Sequence, residues 1–421
     1  MEFNIIKFIV DPIDGFIRNL LGFSPLLGDL VTMGLAAVVI CTLAALSFMA
    51  LTYAERKIVA RIQDRIGPNQ AGPFGLLVPL ADGIKMFTKE DTTPRAADRG
   101  VFNAAPLIIA TFALAGFAVL PFSPGIVGTA LNVGVLYTIA IGSGSIIAII
   151  MAGWGSNNKY ALLGAFRTVA QLVGYEVPMI LNLLPIVALT GSMSLMDVVY
   201  RQTLANGNPG IPFIVYFPFC ALVYLISGIA ETGRSPFDLL EAESEIVAGF
   251  HTEYSGMKFA LFFLGEYVNA LAVAILFVTI FLGGFAGPVL PPVVWLLIKC
   301  ALVFSLFIWL RGTLPRVRVD QMHDLNWKFL VPLSIVNLVI MLLIGKIFVA
   351  TEATQQATGG IVVGYYGQAA IFAISNLVVL FGGLALAARA GRVRRLADEK
   401  IMAARAEQNQ LAASRAIAVG K

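Results

Sequence analysis

Charge is what this sequence has least of. Only 13% of its 421 residues are Asp, Glu, Lys or Arg, about half the ~25% usual in soluble domains, which excludes an ordinary water-solvated globule. Nothing ionisable at neutral pH interrupts Leu30–Ala54, Gly100–Asn158, Gln202–Ala230, Tyr267–Ile298 or Ala353–Ala388. Each run exceeds the roughly 20 residues a helix needs to cross a bilayer. Cysteine is scarce as well. Cys41, Cys220 and Cys300 stand alone inside apolar runs without CxxC spacing, which excludes an Fe–S cluster or a structural zinc held by this chain and reads instead as small core residues. The two histidines, His251 and His323, are too few and too separated for a haem or metal pair. No GxGxxG follows a strand pattern and no Walker A motif occurs, so no nucleotide site is visible. The N-terminus has neither a basic segment nor a long apolar run of signal-peptide type.

What is present is apolar: 58% hydrophobic residues and a mean hydropathy of +0.85. The pattern predicts an all-α polytopic membrane protein of about nine spans. These are Leu30–Tyr53, Phe102–Leu120, Val133–Ala152, Leu162–Leu189, Ile214–Ala230, Phe259–Phe285, Val293–Leu310, Phe329–Val349 and Gln368–Ala388. Short Pro/Gly/Asn linkers separate several of them, and no internal repeat is evident. Lys and Arg fall overwhelmingly in the loops after spans one, three, five and seven and in the tail, which places those loops and the tail in the cytoplasm and the N-terminus outside. The Ala/Arg-rich tail after Ala388 reads as a helix whose basic start contacts lipid headgroups.

The acids are concentrated. Glu231, Asp238, Glu241, Glu243, Glu245, Glu253 and Glu266 account for seven of 25, and carboxylates flanked by hydrocarbon are costly unless they face water, a partner or a proton path. Carboxylates this close repel when all are ionised, so some should hold protons near neutral pH, as a relay requires. Glu231, Arg234, Asp238, Glu241 and Glu245 fall at helical spacing, but Ser235-Pro236 argues against one continuous stripe. Glu176, beside Tyr175 and just before Pro178, and Glu266, beside Tyr267, lie within spans and should face an interior. In the first cytoplasmic loop, Ile58, Ile62 and Ile66 recur opposite Arg61, Asp64 and Arg65, predicting an amphipathic helix. Gly67-Pro68-Asn69 turns the chain, and Gly75–Phe87 reads as a second, half-buried helix.

Five segments carry a resemblance: AERKIVARIQDRIGPN (Ala54–Asn69), PLADGIKMFTKE (Pro79–Glu90), YALLGAFRTVAQLVGYEV (Tyr160–Val177), the stretch from Ala230 to Asn269 that begins AETGRSPFDLLEAESE, and RGTLPRVRVDQMHDLNWKFLVPL (Arg311–Leu333). Together they resemble the H subunit of the proton-pumping NADH:quinone oxidoreductase, respiratory complex I. The family core has eight helices, so the resemblance implies a core over 1–350 and a C-terminal extension, 351–421, with one added span. It implies a membrane subunit in the bacterial inner membrane that forms part of a quinone chamber and links quinone reduction to proton translocation. Quinone would be its substrate, with no NAD, FMN or Fe–S cluster on this chain and no activity in isolation. The implied partners are hydrophilic connecting-arm subunits that carry Fe–S clusters, small membrane subunits, antiporter-like subunits and the lipid bilayer, with no nucleic acid. Carried onto this sequence, chamber residues are Glu55, Arg56, Arg65, Asp82, Glu231, Arg234, Phe237, Asp238, Glu241, Glu243, Glu245, Arg311, Arg316 and Arg318. The proton path runs through Tyr175, Glu176, Glu231, Glu253 and Glu266. The same scaffold serves F420H2 dehydrogenases and membrane-bound hydrogenases, whose electron input lies on other chains. A stand-alone transporter is the rival from another class, but it would show internal repeats.

Overall fold

The computed structural model describes residues 25–203, 210–239, 248–358, 367–389 and 391–392. Helices α1 (Pro25–Ile62), α2 (Val78–Thr88), α3 (Arg99–Ala115), α4 (Gly134–Gly155), α5 (Lys159–Thr190), α6 (Leu195–Arg201), α7 (Phe213–Tyr216) and α8 (Pro218–Glu231) form the first half. Then come α9 (Gly256–Phe281), α10 (Pro292–Thr313), α11 (Val319–Leu325), a π-helical turn (Asn326–Leu330), α12 (Val331–Thr358) and α13 (Gly367–Arg389). Among the described residues eight helices are long and apolar enough to cross a membrane. The fifth expected span, Ile214–Ala230, runs instead as the short α7 and the 14-residue α8, broken at Phe217 (φ −128°, ψ 60°) ahead of Pro218. Proline there can neither donate to the preceding turn nor let its neighbour stay helical. The amphipathic start of the first loop is no separate helix either: it continues α1 without a break to Ile62.

Helices α5 and α9 form the centre. The far half of α9 is buried on every side from Val273 to Phe281, as expected of a helix apolar all round. Helix α5 carries Pro178 and Pro185 in its interior, and each removes a backbone donor from the turn before it. The carbonyl freed at Gly174 is taken by Asn326 Nδ2 at 2.7 Å, from the π-helical turn. Asn182 donates to the Pro178 carbonyl (2.8 Å) and to Ser334 Oγ (2.7 Å). A side-chain amide thus re-satisfies the carbonyl that Pro178 leaves free, and a second ties the bent helix to α12.

Helix α13 docks on the core rather than drifting in lipid. Phe372 packs on Phe217 (5.6 Å between ring centroids) and Phe348 (5.7 Å). The fully buried Asn376 donates to Met341 Sδ at 3.0 Å and reaches the Tyr216 carbonyl, at the helix break, at 3.5 Å.

Candidate functional site

Three loop-proximal helix ends converge on one carboxylate. Glu55, near the end of α1, is 5% exposed. Arg234, in the turn after α8, donates from Nη1 to Glu55 Oε2 at 2.5 Å, and Arg311, in the last turn of α10, donates to Glu55 Oε1. The Tyr267 hydroxyl bonds the same carboxylate. Arg234 is 1% exposed. Its Nη2 lies 3.9 Å from Glu266, and its guanidinium lies over the rings of Tyr267 (4.5 Å) and Phe304 (5.5 Å). Burial alone would lower the Arg234 pKa, but the Glu55 and Glu266 carboxylates reverse that and raise it above the ordinary arginine value. Two guanidinium groups against two carboxylates leave the cluster electrically balanced, the condition for burying charge at all.

The turn that delivers Arg234 is tied at both ends. Gln171, fully buried on α5, donates from Nε2 to the carbonyls of Ala230 (2.6 Å) and Phe237 (2.7 Å). Val317 donates its backbone N–H to Pro236 (3.0 Å). Phe237 is buried against Tyr175 (5.2 Å between centroids), whose hydroxyl donates to the Met322 carbonyl (3.2 Å). The loop arginine and the second proline-bearing loop are therefore set by one network. Arg316 is half-buried beside it, Asp238 is half-buried after it, and Arg318 is exposed at the start of α11.

A cavity of about 90 Å³ opens between α3, α4, α8 and α9, room for a few waters at roughly 30 Å³ each. Glu231, Glu266, Asn269, Thr232 and His251 line it. Glu231 Oε1 lies 3.1 Å from where a Cβ on Gly142 would stand, so the glycine in α4 is what makes space for the carboxylate. Asn269 bonds Glu231, whose Oε2 is buried with no hydrogen-bond partner among the described residues. Glu176 bonds Ser143 of α4 and is close enough to Glu231 for the two charges to repel. Glu176, Glu231 and Glu266 are thus one neighbourhood. Tyr175, pointing the other way round α5, is not part of it. Glu253 is elsewhere too: Asn158, which caps α5 through Tyr160 N–H (3.0 Å), donates to Glu253 Oε1 at 2.6 Å.

The first loop stays at the surface. Asp82 on α2 pairs with Arg56 (2.7 Å) and Lys85 (2.9 Å). Partial burial works against it, yet hydrogen bonds from Lys85 and Arg56 hold its carboxyl below the ordinary aspartate value. Arg65 is exposed and bonds Gln63 (2.8 Å). Arg56, Arg65 and Arg318 are thus exposed and Asp82 is half-buried against Arg56, apart from the Glu55–Arg234–Arg311 cluster. Glu241, Glu243 and Glu245, like the basic tail beyond Arg392, lie outside the described residues.

Four contributors escape a reading by charge: Gln171, Asn158, Tyr267 as a ligand of Glu55, and His251 as a cavity wall. Gln171 alone carried a signal, a glutamine inside an apolar run. Among the described residues no group of three or more His, Cys, Asp or Glu is placed to hold a metal.

A family model described as NADH dehydrogenase matches residues 35–342. The chain is 48% identical to the H subunit of the NADH-quinone oxidoreductase of Dehalococcoides mccartyi (strain CBDB1) over 343 residues, 82% of this chain and 91% of that protein. Against the H subunit from Paramagnetospirillum magneticum the identity is 46% over 318 residues, 74% and 91% of the two chains. Against that from Carboxydothermus hydrogenoformans it is 45% over 322 residues, 76% and 90%. Helix α13 lies beyond the family match.

Proposed function

Because the chain belongs to the family of NADH-quinone oxidoreductase H subunits, we propose that it forms part of the quinone chamber of that enzyme and couples quinone reduction to proton movement through Glu231, Glu266 and Glu176. The observation that carries this reading is the contact between two sites: Arg234 pairs with Glu55 in the buried cluster and also faces Glu266 on the cavity wall. A change of charge at the loops that alters the hold of Arg234 on Glu55 alters the field at Glu266. At 3.9 Å a unit pair interacts by about 4 kcal/mol at an effective dielectric constant near 20, enough to shift a proton between neighbouring carboxylates. Quinone reduction brings electrons and draws protons, so it supplies such a change. On this reading the surface residues Arg56, Arg65, Asp82 and Arg318 border the chamber mouth.

The Lys/Arg pattern orients the protein with these loops and its tail in the cytoplasm and its N-terminus outside, in a bacterial inner membrane. On this reading the connecting arm with its Fe–S clusters docks on the loop face, and small and antiporter-like membrane subunits adjoin the helices. Residues 1–350 are the core and 351–421 an added helix and tail. The test is the number of protons pumped per NADH oxidised in Glu176→Gln and Glu266→Gln. Both variants pump fewer; wild-type stoichiometry in both contradicts the reading.

A further inference from the structure

Two titratable residues on the cavity wall lie outside the carboxylate path, Tyr224 of α8 and His251, and of the two only the imidazole ordinarily changes charge near neutral pH. His251 ends the 3₁₀ turn Gly249–His251 and is 8% exposed. The turn is pressed on α5 so closely that a Cβ on Gly164 would stand 2.7 Å from the Gly249 carbonyl carbon. The ring meets Phe250 (5.0 Å) and Phe259 (5.3 Å) edge-on and lines the same cavity as Glu231 and Glu266. Glu253, two residues on, is turned away and held by Asn158. The loop therefore presents an imidazole, not a carboxylate, to the cavity.

We propose that His251 is the proton-transfer group at the loop end of the cavity, passing protons between solvent and the Glu231–Glu266 carboxylates. The step balances simply. One ring nitrogen takes a proton from water on the exposed side. The other releases its proton to a carboxylate across the cavity, and re-orientation of the ring restores the starting tautomer. Apolar Phe250 and Phe259 meet the ring edge-on, and the 8% of the residue left exposed is its approach to solvent while it lines the cavity. Burial lowers its pKa to about 4, so the resting imidazole is neutral and its protonated form is short-lived, handing the proton on. The ionisable groups on the elements packed against it are Glu231, Glu266 and Tyr224 on the cavity wall, Glu253 and Tyr254 on its own loop, Lys258 at the start of α9, and Lys159, Tyr160, Arg167, Tyr175 and Glu176 on α5. Helix α4 brings none at its cavity face.

This inference rests on the proposed proton path, and the test separates the two. In inverted membrane vesicles holding the whole complex, proton uptake per NADH is compared for wild type, Glu266→Gln, His251→Phe and His251→Gln. The phenylalanine keeps the ring packing, the glutamine keeps polarity, and neither carries a proton. NADH oxidation by an artificial acceptor reports assembly. Both histidine variants are expected to assemble, lose at least fivefold in proton uptake, and regain part of it with added imidazole. Wild-type uptake in both, with Glu266→Gln defective, overturns the role of His251 and leaves the path standing. A loss that imidazole does not relieve in either variant overturns it in favour of a packing role. Wild-type uptake in Glu266→Gln as well overturns both readings.

Discussion

Replacing Glu55 by Gln removes the carboxylate from between two arginines while keeping its shape. Arg234 and Glu55 are 1% and 6% exposed at the side chain, so solvent screens little of their attraction. Arg311 is 34% exposed, and its share is discounted accordingly. Breaking a buried pair by removing one partner costs about 3–5 kcal/mol, because the survivor is left as an uncompensated buried charge. Glu266, 3.9 Å from Arg234, takes up part of that charge, which sets the expectation at the low end, about 3 kcal/mol. The assay is chemical denaturation of the solubilised complex, followed by quinone-reductase activity and converted through its m-value. Asp82→Asn in the surface loop serves as the reference and costs under about 1 kcal/mol. The double variant Glu55→Leu with Arg234→Met recovers more than half the loss, since it removes the two most buried charges together and leaves only the partly exposed Arg311 and Glu266, of opposite sign. If Glu55→Gln proves no less stable than Asp82→Asn, the buried cluster does not hold the three helix ends together.

Asn376→Leu cuts the bonds from α13 to Met341 and the Tyr216 carbonyl and costs about 1–2 kcal/mol, at ~0.6–1.7 for each interhelical bond in a membrane. The buried Cys220 thiol lies between Asn337 and Asn376, so its labelling by a permeant maleimide accelerates roughly tenfold; an unchanged rate means that apolar packing alone seats α13. For pH, burial depresses His251 from 6.5 to about 4, so the folded turn holds fewer protons than the open one. Its stability is complete above about pH 6.5 and is lost as pH falls toward 4, by about 1 kcal/mol at pH 5.5. Amide exchange over residues 249–254, corrected for intrinsic rates, rises between pH 7.5 and 5.5 in wild type and not in His251→Phe; equal behaviour of the two refutes it.

The spans were legible because charge-free runs of more than ~20 residues admit few other structures. The break at Phe217 was not, because Phe213–Glu231 is as apolar as its neighbours and hydropathy carries no backbone angle. Proline gave the only hint. The resemblance brought Glu55, Arg234 and Arg311 onto one roll of residues, but their pairing spans 179 and 256 positions, and nothing local in the sequence says which arginine meets which acid. Arg56 shows the limit well. It is adjacent to Glu55 and as cationic as Arg234, yet a step of about 100° round the helix sends it outward to Asp82. The same step parts Tyr175 from Glu176. His251 went unread as a wall of the cavity because an isolated histidine signals nothing until the fold supplies what it faces.

The direct measure of the central claim is the proton-to-NADH ratio of Glu176→Gln and Glu266→Gln complexes in sealed vesicles, with artificial-acceptor activity as the control for assembly. A carboxylate cavity that couples quinone reduction to proton movement predicts a lowered ratio in both variants while the control activity stays intact. An unchanged ratio in both would contradict it.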